Sequence, residues 1–221
     1  MKLFKKILES KFFQKKRNRV ITICVAVALI IAIVWVVFFT SILERIFAPS
    51  ITLMSPAPVL VFDRGEIVVD VVMSDLPERV FPAASLSAKF DKNKLELVSV
   101  KQGTMMTLNN YSEDETTYNI PIWKSDIEAA NRLGKVNTMY LDMTGGQFAY
   151  VKEGFAKEEK DILLRLVFCL RDSAKAGEVY NITVEDAVLA TVGGDYDNTS
   201  LATSNRTLKA YPAKIVVKEG M

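Results

Sequence analysis

The sequence predicts an all-β domain, an antiparallel two-sheet sandwich with one short helix, carried behind an N-terminal transmembrane helix. Three observations predict it. From Ile51 onward the chain breaks into short apolar, β-branched or alternating runs, about nine of them, punctuated by Pro, Gly, Asn and Asp. Only one stretch, residues 126–133, carries helix signals at both ends. Val20 to Phe39 is twenty residues without a charge, long enough at about 1.5 Å per residue to cross about 30 Å of hydrocarbon.

Residues 1–19 form a basic tail, with eight Lys or Arg against the single acid Glu9. The remaining 202 residues hold 20 basic and 25 acidic side chains. A basic tail and an acidic body are separate objects. Lys15, Lys16, Arg17 and Arg19 stand directly before the apolar run. By the positive-inside rule they keep the N-terminus cytoplasmic and place the rest outside the cell membrane. A cleaved signal peptide would have a shorter apolar region and a small-x-small site. The nearest candidate, Ile46-Phe47-Ala48, lacks the first small residue and is followed by Pro49, so the segment reads as an uncleaved anchor. Its helix is expected over 20–39, with extension to 47 until Pro49 stops it. No glycine-based small-xxx-small motif marks the segment for helix pairing. Leu3, Phe4, Ile7, Leu8 and Phe12 fall at helical spacing among lysines. That pattern suits a helix lying on anionic membrane lipid, or a solvated tail that only sets topology. Nucleic acid is not an expected partner, because the tail is short and adjoins the bilayer.

Residues 48–58, which include PSITLMSPAP, read as a short stalk, and the sandwich is expected over 51–217. EIVVDVVM (66–73) is apolar and β-branched. ASLSAKF (84–90) alternates strictly, and the polar turn Asp91-Lys92-Asn93-Lys94 leads at once into LELVSV (95–100). Asp91 and Asn93 suit such a reversal because their side chains bond nearby backbone. TTYNIPI, KVNTMYLDM, DILLRLVFCL, VYNITVEDAVLA and TLKAYPAKIVV supply further strands. Between them, Ser125 with Glu128 has capping-box spacing, and Gly134 can close the helix over 126–133.

The chemistry is sparse. The chain has no histidine, so it lacks the commonest general base and metal ligand. Cys24 lies in the apolar segment and Cys169 in a strand-like run, so a bilayer separates them and no disulfide is expected. Without a histidine to activate it, Cys169 reads as a small buried hydrophobe. Asp142, Glu153 and Glu159 are acids of the type a glycosidase pairs, but no spacing singles out a pair. No phosphate loop, nucleophile elbow or dinucleotide fingerprint occurs. The chain therefore does not read as an enzyme, and no cofactor is expected. Asp195, Asp197 and Asn198 are weak calcium candidates. They offer oxygen ligands but lack the twelve-residue EF-hand pattern, and a polar loop explains them equally well. N-x-S/T sequons begin at Asn110, Asn181, Asn198 and Asn205. Trp123, Tyr140, Phe148 and Tyr150 belong either to the core or to a sugar-stacking platform.

FDKNKLELVSVKQGTMM (90–106) resembles the early signature of cohesin domains: an aromatic and turn, then a Val-Ser-Val-like strand, then a glycine. GEIVVDVVMSDLP (65–77) and GKVNTMYLDMTGG (134–146) are similar to further strands of that family. DILLRLVFCLRDSAKAGEVYNITVEDAVLAT (161–191) resembles its long strand, Ser-Ala-x-x-Gly turn, Tyr-x-Ile strand and Asp-Ala-x-x-Ala finish, and TLKAYPAKIVV its closing strand. The resemblance spans Ile51 to Val217 and implies a nine-stranded jelly-roll sandwich that binds dockerin modules. Carbohydrate-binding modules share much of this strand and turn grammar. The chain departs from the best-known cohesins in holding one module behind a transmembrane helix. The dockerin-contacting positions lie outside the matched motifs, so no binding residue is carried over.

Three functions remain open at this point. A protein-docking module, with a dockerin-like or other helical partner, requires a flat, aromatic-poor sheet face of mixed polarity. A polysaccharide or cell-wall binder requires coplanar exposed aromatics. A subunit of a pilus or secretion assembly requires the transmembrane helix itself as an interface.

Overall fold

The computed structural model describes residues 27–39, 46–61, 65–109, 118–144, 147–152, 161–191 and 200–219. The chain divides into two units, Met1–Phe47 and Ala48–Met221. In the first, residues 27–39 form a helix, α1, in which every residue is apolar and exposed. Among the described residues no helix is long and apolar enough to cross a membrane. α1 is the described part of the predicted span 20–39; residues 20–26 and the topology residues Lys15, Lys16, Arg17 and Arg19 lie outside the described residues.

The second unit begins with β1 (Ser50–Met54), β2 (Val59–Leu60), β3 (Ile67–Met73), β4 (Ala83–Lys89) and β5 (Leu95–Gln102). β6 (Thr107–Asn109), β7 (Tyr118–Asn119) and β8 (Lys124–Ser125) lead to helix α2 (Ile127–Leu133). β9 (Lys135–Leu141), β10 (Phe148–Ala149), β11 (Ile162–Leu170) and β12 (Val179–Ala190) follow, then β13 (Leu201–Ala202), β14 (Lys209–Tyr211) and β15 (Ala213–Lys218). One sheet has the order β14-β1-β3-β11-β5. The other runs β2-β15-β12-β4-β9-β8, with β13 also on β12, and β10-β6-β7 form a small third sheet. Both large sheets feed one core. Ile51, Val69, Leu97 and Leu166 come from the first, and Leu86, Val136, Ile182 and Ile215 from the second.

Among the described residues fifteen strand segments stand where about nine strands are expected. The excess consists of segments of two or three residues, and of strands split at proline. The expected stalk is part of the sandwich: Ser50–Met54 is β1, and Ile51 and Leu53 are buried in the core. Nor is the pairing wholly antiparallel. β1 pairs β14 in parallel, Ser50 against Lys209, and β2 pairs β15 in parallel, Val217 against Val59. The two ends of the domain thus run side by side and change sheets together. Pro212 separates β14 from β15, and Pro56 and Pro58 separate β1 from β2. Proline offers no N–H to a ladder, so the chain leaves one sheet there and joins the other. Ser55 Oγ donates to the Lys214 carbonyl at 2.7 Å across this crossing.

The turn before β5 forms as its residues demand. The Asp91 side chain accepts from Asn93 N at 2.9 Å, and the Asp91 carbonyl accepts from Leu95 N at 2.8 Å. Asn93 contributes through its backbone, since its carbonyl accepts from Ser173 Oγ. At the far end of β5, Gly103 passes so close to β11 that a Cβ would stand 1.7 Å from the Ile162 carbonyl oxygen. Only a residue without Cβ fits there.

α2 is capped one residue later than expected. Asp126, not Ser125, is the N-cap, and its carboxylate accepts from Ala129 N at 2.9 Å. Ser125 belongs to β8, where its hydroxyl donates to the Asn137 carbonyl, so the Ser125–Glu128 capping box does not form. Gly134 ends the helix at φ 72°. Asn131 then seals the edge of the first sheet. Its amide donates to the Leu97 carbonyl and accepts from Leu97 N, both at 2.8 Å, so the side chain acts as a one-residue strand partner for β5.

Candidate functional site

β4, β9 and β12 each bury alternate residues and turn the others outward. Register then arranges the outward set in rows. Ala190, Ala83 and Leu141 make the first row. Val188, Ser85, Met139 and Lys124 make the second, and Asp186, Ser87 and Asn137 the third. The fourth holds Thr183, Lys89 and Lys135. The face thus grades from aliphatic through short polar to charged. The short side chains of β4 leave a shallow depression of about 530 Å³ whose lining includes Ser85, Ser87, Lys124, Asp126, Asn137 and Met139. Within it Ser87 Oγ donates to Asn137 Oδ1 at 2.6 Å.

A bulge fixes the charged end. The pairing of β12 with β4 slips between Val184 and Asp186, which leaves Glu185 as the extra residue. Its carboxylate bridges Lys89 and Lys135, the latter at 2.8 Å. Hydrogen bonds from Lys135 and then Lys89 hold the Glu185 carboxyl below its ordinary range. A second polar cluster ties loops together. Lys94 Nζ donates to Glu178 at 3.0 Å and to the Ser173 carbonyl at 2.7 Å, and Tyr180 donates to the same Glu178 carboxylate. Burial, then the bond to Glu178, pushes the Tyr180 hydroxyl up to about 12. Both clusters are satisfied structural networks.

The candidate stacking aromatics are core residues. Trp123, Tyr140 and Tyr150 are buried, and Phe148 is half-buried. Tyr140 and Tyr150 meet edge-on at 5.4 Å, and Trp123 Nε1 donates to Tyr150 Oη at 3.1 Å. Burial raises the pKa of Tyr150 above the tyrosine range. No sugar platform can form from these four without unfolding the core. Of the candidate acids, Asp142 organises its own turn, accepting from Thr144 N at 3.1 Å and from Phe148 N at 3.3 Å. Glu153, Glu159, Asp195, Asp197 and Asn198 lie outside the described residues. Among the described residues no three acidic, cysteine or histidine side chains stand together as metal ligands. Asn181 is exposed on β12, and the Asn205 side chain accepts from Thr207 N at 3.1 Å. Cys169 is half-buried on β11.

The sequence reading singled out none of the residues on the graded face. A signal was present in ASLSAKF. Its core-facing positions are Ala84, Leu86, Ala88 and Phe90, and two of its three outward positions, Ser85 and Ser87, are smaller than a solvated strand usually shows, Lys89 being the third.

A family model, the Cohesin domain, matches residues 64–210. No curated protein sequence matches the chain. Solved structures share its fold. The third cohesin ScaC of Acetivibrio cellulolyticus, in complex with the ScaB dockerin, is 17% identical with a TM-score of 0.53, over 77% of this chain and 99% of that one. The Coh-OlpA-Doc918 complex of Clostridium thermocellum, a type I cohesin–dockerin complex, gives 15% and 0.52 over 77% and 99%. The Coh-OlpC-Doc435 complex of the same organism gives 10% and 0.53 over 79% and 96%.

Proposed function

The chain belongs to the cohesin domain family, and on that premise we propose that it is a non-catalytic docking module that captures a dockerin-type partner at the cell surface. The N-terminal apolar segment anchors it in the membrane with the basic tail inside. This topology rests on the uncharged run 20–39, on Lys15, Lys16, Arg17 and Arg19 before it, and on the apolar, exposed surface of α1. The docking surface is the outer face of β12, β4, β9 and β8. The observation that carries this reading is the graded face itself, free of aromatic side chains and floored by Ser85, Ser87 and Asn137. Four strands at about 4.8 Å spacing give a bed about 14 Å wide. That width seats a helix about 10–12 Å across.

The test is calorimetry on the full chain in lipid nanodiscs, titrated with a panel of dockerin modules in calcium and then in chelator. We expect calcium-dependent binding at micromolar affinity or tighter by at least one module, abolished by Ser87→Arg. No heat from any module, or binding indifferent to Ser87→Arg, sinks the reading. Membrane topology is checked separately by protease protection of the tail in sealed vesicles. Cleavage of the tail from the side that exposes the domain would overturn the anchor assignment.

A further inference from the structure

The turn that joins β13 to β14 carries the sequon Asn205-Arg206-Thr207 and is clamped at both ends. At its start Thr203 N donates to the Ala187 carbonyl at 3.0 Å, and Thr203 Oγ1 donates to the Asp186 carboxylate at 2.8 Å. At its end Thr207 Oγ1 accepts from Ala202 N at 2.8 Å. Ser204, Asn205 and Arg206 form the exposed tip. Arg206 stands in the left-handed region at φ 66°, the one non-glycine residue to do so among the described residues. That conformation is unfavourable for an L residue. The asparagine before it offsets this, because Asn205 Oδ1 accepts from Thr207 N at 3.1 Å and from Thr207 Oγ1 at 2.6 Å.

An N-glycan acceptor needs an asparagine amide, a hydroxyl two residues on, and a surface position in a domain outside the cytoplasm. In this turn the two required side chains are already joined. The bonds to Oδ1 draw electron density onto the oxygen and make the Nδ2 protons more acidic. That is the direction the transfer needs, because the attacking amide must give up a proton. Nδ2 itself donates to no partner among the described residues. Asn181 and Thr183 form the other sequon with both side chains described, and they differ. They sit in the ladder of β12, where Asn181 pairs with Lys214 and Thr183 with Lys89. Two residues of strand hold them about 6.6 Å apart, and no hydrogen bond joins their side chains. Asn110 and Asn198 lie outside the described residues.

We propose that Asn205 is an N-glycosylation site, modified by a membrane-bound oligosaccharyltransferase that uses a lipid-linked pyrophosphate oligosaccharide as donor. Nδ2 attacks the anomeric carbon of the donor's first sugar. The N–C bond forms, the C–O bond to pyrophosphate breaks, and the lipid pyrophosphate leaves with the bonding pair. One Nδ2 proton passes to a base of the transferase, and nothing is oxidised or reduced. The exposed tip of the turn leaves the sugar in solvent whether it is attached before or after folding. The inference rests on the extracytoplasmic placement of the domain and not on dockerin binding.

The experiment isolates the full chain from the membranes of its source cells and measures its intact mass and its glycopeptides. Wild type, Asn205→Asp and Asn181→Asp are compared. Asn205→Asp removes the acceptor nitrogen and keeps a side-chain oxygen for the turn, and an unchanged thermal midpoint confirms folding. We expect wild type to carry added hexose or N-acetylhexosamine mass, with fragmentation placing it on Asn205. Asn205→Asp should lose that mass and Asn181→Asp should keep it. An unmodified Asn205 in a chain whose domain is outside by protease protection overturns the inference and leaves the topology standing. Sugar on Asn181 with Asn205 bare overturns it equally, because the joined side chains would then not select the site. A domain found on the cytoplasmic side removes the placement and the inference together.

Discussion

The two large sheets turn very different faces to solvent. On the outer face of the first, charges are paired: Arg165 with Asp70 at 3.2 Å, Lys101 with Glu66 at 2.7 Å, and Arg171 with Glu96 at 3.3 Å. On the outer face of the second, charge gathers at the Glu185 end, and the remainder, Lys124 apart, is short or aliphatic. Exposed pairs contribute little to stability, roughly 0–1 kcal/mol each. They matter more for what they prevent, because a partner would have to desolvate charges already satisfied. The second face sheds water at little cost and offers aliphatic contact. The same sandwich thus presents one face suited to water and one suited to a partner.

The comparison can be broken hardest at Gly103, where the first sheet depends on a close approach to Ile162. Gly103→Ala should destabilise the domain by about 3 kcal/mol or more, read by chemical denaturation. A loss below about 1 kcal/mol would mean that the contact relaxes without cost. Next comes a paired substitution across the two faces. Ser87→Arg should reduce dockerin affinity at least 100-fold, about 2.7 kcal/mol, with stability almost unchanged. Val98→Arg, on the exposed outer side of β5, should leave affinity within about twofold. Equal effects would erase the functional distinction between the faces. Asn131→Ala removes both hydrogen bonds to Leu97 and should cost about 1–2 kcal/mol. Faster hydrogen exchange should then appear along β5 and not along β4; uniform acceleration would argue against a local edge seal.

The smallest effects are in pH. The folded Glu185 carboxyl has a lowered pKa, so its contribution is present above the ordinary carboxylate value. It is lost as pH falls through the folded value. Glu185→Gln should flatten the acid limb of the stability profile, and an unchanged limb would assign it to other carboxylates. Tyr180 runs the opposite way. Its raised pKa gives a contribution present below about pH 10, lost as pH climbs towards about 12. Tyr180→Phe should remove that alkaline loss.

How far the sequence carries depends on the range of the interactions concerned. Alternation is a property of residues two apart, and it located β4 and the start of β5. Gly134 and the acidic first turn marked the helix, although Ser125 looked the better cap than Asp126. That choice depended on β8 pairing with β9, which no local pattern announces. Ser50–Met54 fell where the expected stalk, 48–58, overlaps the expected sandwich, 51–217, because its partner β14 lies more than 150 residues away. A segment bounded by prolines becomes a strand only when that partner arrives. The four buried or half-buried aromatics carry the same composition whether they stack on sugar or on each other, and burial alone separates the cases.

The sequence by itself determined the uncharged segment 20–39, the basic tail before it, the strand-rich domain behind it and the motifs of its family, because each is written in neighbouring residues. Tertiary structure decided which strands adjoin, that the ends of the domain pair in parallel, that Glu185 bulges between two lysines, and that Ser85, Ser87, Lys124, Asn137, Met139 and Leu141 share one surface. These residues are scattered along the chain. Register between distant strands brings them together, and register is set by the fit of the whole core.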